Sequence, residues 1–110
     1  MGKEPIFSVG QQYTVIELTT ATRLIFSGRC LLFGVLLSAD GDSVRSRVFD
    51  SRTGTGKEVL HLEAIDETTV QWNCERGALM ENGIYVYVSA VEAHVSVSYI
   101  PLEKKSFRGE

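Results

Sequence analysis

The alternation of apolar and polar residues near the end of the chain is the feature that most constrains its fold. In NGIYVYVSAVEAHVSVSYIP, residues 82–101, every second side chain is apolar over 84–88 and again over 95–99. A period of two places alternate side chains on opposite faces of an extended chain, whereas a helix requires a period near 3.6. This segment therefore predicts two neighbouring β-strands, each with one face towards a core.

Other stretches of the chain show a strand pattern, and few show helical periodicity. Residues 76–83 are predicted as an irregular connection with room for a short edge strand. Turn residues separate the strands at regular spacing, which is typical of sandwiches and jelly rolls. We predict an all-β protein, a single antiparallel β-sandwich or jelly roll of about seven to eight strands. Besides the last two, the predicted strands are 13–20, 29–40, 43–50, 58–65 and 69–75.

The length and composition predict one folded domain. A chain of 110 residues that is 44% hydrophobic and 23% charged can bury a core. The domain is predicted to span 1–110, with short arms at residues 1–10 and 102–110. The net charge of −3 and the mixing of arginines with aspartates disfavour a nucleic-acid partner.

No targeting or membrane-spanning segment is predicted. The first residues, MGKEPIFSVGQQ, lack the apolar run of a signal peptide, and the longest apolar run, CLLFGVLLSA, is too short to cross a bilayer. We expect a protein made and used in a cytoplasm, without a membrane partner. The two cysteines, Cys30 and Cys74, are too few for a disulfide framework and are predicted to be buried small hydrophobes.

The strand at residues 29–38 is apolar on both faces, unlike a sandwich strand with one solvated face. Its outer face is covered either by the terminal arms or by another subunit. A domain this small has few elements left for the task, so we favour another subunit. The predicted oligomer interface comprises Leu31, Phe33, Val35 and Leu37.

The motifs that resemble catalytic or ligand-binding sites do not meet the requirements of those sites. TGTGKE fails as a phosphate-binding loop because Ser51 stands where glycine is needed and Glu58 follows Lys57. Strand parity directs the cysteines away from His61 and His94, which excludes a nucleophile–base pair. Ordinary turn chemistry, rather than a calcium loop, explains the carboxylates that flank one hairpin, which are Asp40, Asp42 and Asp50. We predict no catalytic residue, no metal site and no cofactor.

Two groups of exposed residues indicate contact with another macromolecule. The glycine-rich loop 51–57 carries Arg52 and Lys57, which suit an acidic partner surface. Tyr85 and Tyr87 point away from the predicted core, and tyrosine is enriched at protein interfaces. The same tyrosines, with Trp72, would instead form the platform of a sugar-binding module. We favour a protein partner because Trp72 lies on a core face.

Residues 31–101 resemble a family of small β-sandwich virion proteins of tailed bacteriophages. One stretch that carries the resemblance is GVLLSADGDSVRSRVFDSRTGTGKEVLHLEA, with its tight turn and D-S-x-T-G-x-G loop. The other is WNCERGALMENGIYVYVSAVEAHVSVSYIP, with an NG turn before a strand and a final strand that ends in Tyr-Ile-Pro. The resemblance covers about two thirds of the chain, and each matched residue also has a turn or core explanation.

The resemblance implies a non-enzymatic virion structural protein, assembled in a host cytoplasm. It implies a capsid decoration or cement protein that forms a homo-oligomer, as a trimer in the cement role, and contacts the major capsid protein. A tail or head–tail accessory protein, or a lectin-like receptor-binding module, is the alternative. Residues expected to contact the partner are Arg52, Thr53, Lys57, Tyr85, Tyr87, Lys104, Lys105 and Phe107.

Overall fold

The computed structural model describes residues 14–90 and 92–102, which form eight strands and no helix. This confirms the all-β prediction. Residues 1–10 and most of the predicted C-terminal arm lie outside the described residues. The strands are β1 Val15–Thr19, β2 Arg23–Ser27, β3 Cys30–Ala39, β4 Val44–Asp50, β5 Lys57–Ala64, β6 Thr69–Met80, β7 Gly83–Val88 and β8 Ala93–Pro101.

The strands form two four-stranded antiparallel sheets that pack as a sandwich. The first sheet has the order β1-β8-β3-β6 and the second the order β2-β7-β4-β5. The pairs β1–β8, β2–β7, β3–β6 and β4–β5 are nested, so the chain pairs with itself like one long hairpin folded across two layers. Two further strand pairs, β3–β8 and β4–β7, join the nested pairs side by side within each sheet.

The core lies between the sheets and is built from the alternating side chains of their inner faces. As the sequence pattern predicts, the apolar series of 84–88 and 95–99 is buried. Phe26 packs on Tyr99 with ring centroids 5.3 Å apart, which links the two layers. The largest fully buried apolar side chains are Leu32, Leu37, Met80, Ile84, Val35, Val48, Val86, Val95 and Val97.

A β-bulge in β3 overturns part of the predicted oligomer interface. The pairing of β3 with β8 passes from Leu32–Tyr99 directly to Gly34–Ser98, so one additional residue, Phe33, stands between them. One additional residue reverses which side chains face inward. Leu32 therefore faces the core before the bulge, and Val35 and Leu37 face it afterwards, with exposures of 1% and 0%.

The prediction that Leu31, Phe33, Val35 and Leu37 share an outer face is thus wrong for Val35 and Leu37. Both are sealed in the core and are not available to another subunit. Leu31 and Phe33 do lie together on the outside, because a β-carbon at Gly77 would lie 3.0 Å from an atom of each. Leu36, which alternates with Val35 and Leu37 after the bulge, joins them on the outer side.

β6 is longer than the sequence pattern indicates. Residues 76–80, predicted as part of an irregular connection, continue the strand that begins at Thr69. The strand accommodates them by extruding residues 74–77 opposite Phe33. The turn at Asn82 and Gly83 has the role predicted for it. Gly83 has φ +148° at the entrance to β7, and a β-carbon there would overlap the carbonyl oxygen of Phe26.

Candidate interaction surfaces

The two outer faces of the sandwich differ in charge, and each forms a candidate interaction surface. We name the outer face of the second sheet the charged face and the outer face of the first sheet the uncharged face. The charged face comprises Arg45, Arg47, Glu58, His61, Glu63, Tyr85 and Tyr87, together with the loop 51–56.

An ion pair is at the centre of the charged face. Arg47 donates to Glu58 through both Nε and Nη2, at 3.1 and 2.6 Å from the same carboxylate oxygen. This hydrogen bond and the charge of Glu58 raise the pKa of Arg47, while the hydrogen bond from Arg47 lowers the pKa of Glu58. His61 lies beside the pair, with Nε2 3.2 Å from a carboxylate oxygen of Glu63. The pair therefore stays ionised well below neutral pH.

The loop between β4 and β5 is held by its own hydroxyl groups. The backbone N–H of Thr53 donates to Ser51 Oγ at 3.0 Å, and that hydroxyl donates to the carbonyl of Thr55 at 2.6 Å. Thr53 Oγ1 also donates to the Thr55 carbonyl, at 3.2 Å. Such local side-chain bonds give the loop a defined shape without a regular ladder. Arg52 and Thr53, both exposed, are presented from this framework.

The loop folds over Tyr85, which brings several predicted contact residues into one region. A β-carbon at Gly54 would lie 3.3 Å from the Tyr85 ring. Tyr85 in turn packs edge-on against Phe49, with ring centroids 6.4 Å apart. Lys57, the first residue of β5, pairs with Asp50 at the base of the same loop. The structure therefore places Arg52, Thr53, Lys57 and Tyr85 at one end of the charged face.

Tyr87 lies further along the charged face and is 37% exposed. It pairs directly across the strands with Arg47. Lys104, Lys105 and Phe107 lie outside the described residues, so the structure does not place them relative to the loop.

The uncharged face is the surface that sequence reasoning largely missed. Among the described residues, none of the side chains that strand pairing places on it belongs to Lys, Arg, Asp or Glu. Apolar side chains occupy β1 and β3, and small hydroxyl groups occupy β8 between them. The face comprises Ile16, Leu18, Leu31, Phe33, Leu36, Ser38, Thr69, Gln71, Asn73, Leu79, His94, Ser96, Ser98 and Ile100.

Leu18 and Ile16 stand out on this face because they are 72% and 63% exposed. Both lie on β1, opposite Ser96 and Ser98 of β8. A trough of about 310 Å³ runs beside Leu18, with Leu36, Ser38, His94 and Ser96 among its lining residues. The alternation of β1 was visible in the sequence, but it did not indicate which half of the alternation faces outward.

The residues considered for chemistry are separated in space. Cys30 is buried, and burial, with a smaller contribution from the charge of Asp50, raises its pKa to about 12. Cys74 is only half-buried, so the prediction of two buried cysteines is confirmed for Cys30 alone. His61 lies on the charged face and His94 on the uncharged face, on opposite sides of the sandwich.

The carboxylates considered for calcium are likewise dispersed. Asp50 accepts hydrogen bonds from the backbone N–H groups of Glu81 and Asn82, whereas Asp40 lies 3.9 Å from His94 at the end of β3. Within 14–90 and 92–102, no group of three or more His, Cys, Asp and Glu side chains is arranged to hold a metal ion. In the same ranges, no helix is long and apolar enough to cross a membrane.

Trp72 does not lie on the charged face. Its side chain packs against the core from β6, in the other sheet, as its position on a core face predicts. A sugar platform that combines Trp72 with Tyr85 and Tyr87 is therefore not formed.

Comparison with known proteins adds no relative to these observations. No protein-family model matches the sequence, no curated protein matches it, and no solved structure matches the fold.

Proposed function

We propose that this chain is a non-enzymatic virion structural protein of a tailed bacteriophage, which decorates or cements the capsid. The observation that carries the proposal is the hydrogen-bonded loop 51–56, held over Tyr85 on a charged face. We interpret the nested strand order as a jelly roll, a fold found in viral capsid and lectin domains. The resemblance of residues 31–101 to phage virion proteins supports the same assignment.

In the proposed mechanism the protein stabilises the shell by mass action. A protein that binds assembled shell, but not free capsid subunits, shifts the equilibrium towards the assembled state. Arg52 and Lys57 would meet acidic groups of the major capsid protein, and Tyr87 would supply an aromatic contact at the rim of the same patch. Because the loop is already shaped by Ser51 and Thr53, little conformational entropy is lost when it binds.

The proposed setting is the virion, after assembly in a host cytoplasm. The proposed partners are other copies of the chain, in a trimer if the resemblance holds, and the major capsid protein. The proposed contacts of the C-terminal arm, Lys104, Lys105 and Phe107, would extend the charged face. No cofactor is involved in the proposed function.

The test is co-sedimentation of the purified full chain with shells of the phage that encodes it. We expect binding to assembled shells, and loss of binding when Arg52 and Lys57 are both replaced by glutamate. Arg76→Glu is the matched control, because Arg76 is an exposed arginine in the extruded part of β6, on the other sheet. Sedimentation of the double variant at the wild-type level would contradict the role of the loop, and absence of wild-type binding would overturn the proposal.

The C-terminal arm is tested separately in the same assay. Deletion of residues 102–110 should weaken binding to the shells if the arm contributes contacts. Undiminished binding by the deletion variant would leave the loop and the tyrosines as the whole contact surface.

A tail accessory protein or a glycan-binding module is the competing assignment. The exposed Tyr87 beside Arg47 is the feature that favours it, because aromatic rings beside polar groups stack on sugars. Binding of the wild-type chain to a glycan array, lost in Tyr87→Ala, would support this alternative. An array without binding, together with co-sedimentation on shells, would support decoration.

A further inference from the structure

We infer that the uncharged face is a self-association surface, through which two copies of the chain pack sheet against sheet about a two-fold axis. A second copy of the chain is one of the partners named in the proposed function, and the inference rests on that part of the proposal. Self-association is measured on the purified protein alone. A chain that does not self-associate can therefore be distinguished from a chain that does not bind shells.

Charge is distributed unequally between the two outer faces. Side chains that point outward from the second sheet include one arginine, two glutamates and a histidine within one network, and a second arginine, Arg45, beside it. Those that strand pairing places on the outer face of the first sheet include no Lys, Arg, Asp or Glu among the described residues; the exposed Glu75 and Arg76 lie at its edge, in the unpaired part of β6. A solvated protein surface normally carries both charge signs, whereas the centre of an interface is depleted of charge.

The uncharged face is not flat, because an apolar side chain projects from it beside a trough. Leu18 projects into solvent beside a trough bounded by Leu36, with Ser38 and Ser96 forming part of its lining. Serine side chains are too short to fill the space between β1 and β3. A second copy turned by a two-fold axis would place its own Leu18 over this trough, and each copy would bury the most exposed apolar residue of the other.

The uncharged face is large enough for two copies to bury the area of a specific interface. Strands about 4.8 Å apart that rise about 3.3 Å per residue give roughly 500 Å² for four strands of about eight residues. Two such faces would bury about 1,000 Å² in total, which is the size that a specific interface needs. An area at this lower limit is typical of a weak, reversible pair rather than an obligate dimer.

Contact between two identical faces limits the number of copies in the assembly. A face that packs on the same face of another copy is isologous, which closes at two copies and leaves nothing to add a third. Sheets pack face to face about 10 Å apart, and here the small side chains of β8 permit that approach. The inference therefore gives two copies by this surface, in contrast with the trimer implied by the resemblance.

The experiment is light scattering on a sizing column with the full chain at low and high micromolar concentration. The monomer has a mass of 12.2 kDa. We expect the mass to rise towards twice that value, and Leu18→Asp to raise the dissociation constant roughly 100-fold or more, because two copies of the residue meet the interface. Ile16→Asp, on the same strand, should act in the same direction.

Ile65→Asp is the matched control. Ile65 is 67% exposed, similar to Leu18, but it lies in the turn after β5 and is not among the side chains that strand pairing places on the uncharged face. It should leave the dissociation constant unchanged, and circular dichroism of all three variants should match the wild type. An equal effect of Ile65→Asp would overturn the assignment of the face.

Two further outcomes would also overturn the inference. A mass of three copies would remove the two-fold pairing. The full chain would be monomeric at every concentration, and the variant without residues 1–13 would form pairs, if the chain's own N-terminal segment covers the face.

Discussion

The Asp50 carboxylate accepts a hydrogen bond from the backbone N–H of Asn82 at 2.8 Å. Its second oxygen accepts one from the backbone N–H of Glu81 at 3.0 Å. Asp50 is the last residue of β4, so these bonds tie the base of the loop 51–56 to the turn between β6 and β7. Hydrogen bonds to a charged acceptor are stronger than neutral ones. The tie connects the loop to the turn that leads into β7, the strand that carries Tyr85.

Asp50→Ala should lower the free energy of unfolding by about 2 kcal/mol, because two backbone donors lose a charged acceptor. Urea denaturation at pH 7 measures the change, and amide hydrogen exchange should quicken at Asn82. Asp42→Ala, at an exposed turn position, should stay within about 0.5 kcal/mol of the wild type. If both variants unfold at the same urea concentration, the tie contributes nothing measurable.

The pair of Arg47 and Glu58 predicts a pH-dependent stability. The pKa of Glu58 is lower in the folded chain than in the unfolded chain, chiefly because Arg47 donates a hydrogen bond to it. The stabilisation is therefore complete above the ordinary carboxyl pKa of about 4.3 and is lost as the pH falls through the lowered value. Both side chains are at the surface, so the effect is small and weakens with added salt.

Glu58→Gln tests this sign. The variant should be less stable than the wild type at pH 7, and the two should converge as the pH falls through the lowered pKa of Glu58, where the wild-type carboxyl becomes protonated. Urea midpoints measured across this range give the difference. Glu75→Gln, in the other sheet, should show no such convergence. A constant offset between Glu58→Gln and the wild type at every pH would exclude the ion pair as its cause.

The strand content could be predicted from sequence because period-two alternation directly reports an inner and an outer face. The last two strands of the chain, β7 and β8, are the clearest case, and their valines are buried as expected. β2 was not predicted, because its five residues, RLIFS, include a register shift between Leu24 and Phe26 and show no clean alternation. Short irregular strands depend on their neighbours more than on their own pattern.

The face of each side chain in β3 could not be predicted because of a single residue. The bulge at Phe33 depends on how β3 pairs with β8, and pairing is a long-range property that the local sequence does not record. One additional residue moved Val35 and Leu37 into the core and Leu36 onto the surface. The prediction that this strand has an apolar outer face holds, but only two of the four residues assigned to that face, Leu31 and Phe33, lie on it.

The outward position of the β1 side chains on the uncharged face could not be predicted for the same reason, because it too depends on strand pairing. Leu18 and Ile16 alternate with Val15 and Glu17, and either set fits an inward face by sequence alone. Pairing with β8 decides the matter, because Val15 and Glu17 stand opposite the buried Tyr99 and Val97. Glu17 on the inner side is accommodated at the open edge of the sandwich, where it pairs with Arg23 at 3.0 Å.

Ser46 provides a prediction in the opposite direction, towards greater stability. It is 1% exposed in the centre of β4, and among the described residues its Oγ has no hydrogen-bond partner. A buried polar group without a partner loses its hydration and gains nothing in return. Ser46→Ala should raise the free energy of unfolding by about 1 kcal/mol.

Thermal and urea denaturation measure the effect of Ser46→Ala. Ser43→Ala, at an exposed position just before β4, is the control and should change stability by less than about 0.5 kcal/mol. A destabilised Ser46→Ala variant would show that the hydroxyl is satisfied, for instance by a bound water, and that its removal leaves a cavity.

The two thiols should differ in reactivity by a large factor. The thiolate is the reactive form, and burial raises the pKa of Cys30 to about 12, so almost none of it is ionised at pH 8. Cys30 is also 0% exposed, with its backbone paired on one side to Met80 and on the other to Pro101. In the native protein at pH 8, a thiol reagent should label Cys74 alone, and in urea it should label both cysteines. Cys74→Ser should abolish the native-state labelling. Rapid labelling of both thiols without urea would instead mean that the sandwich opens readily at the end where β3, β6 and β8 meet.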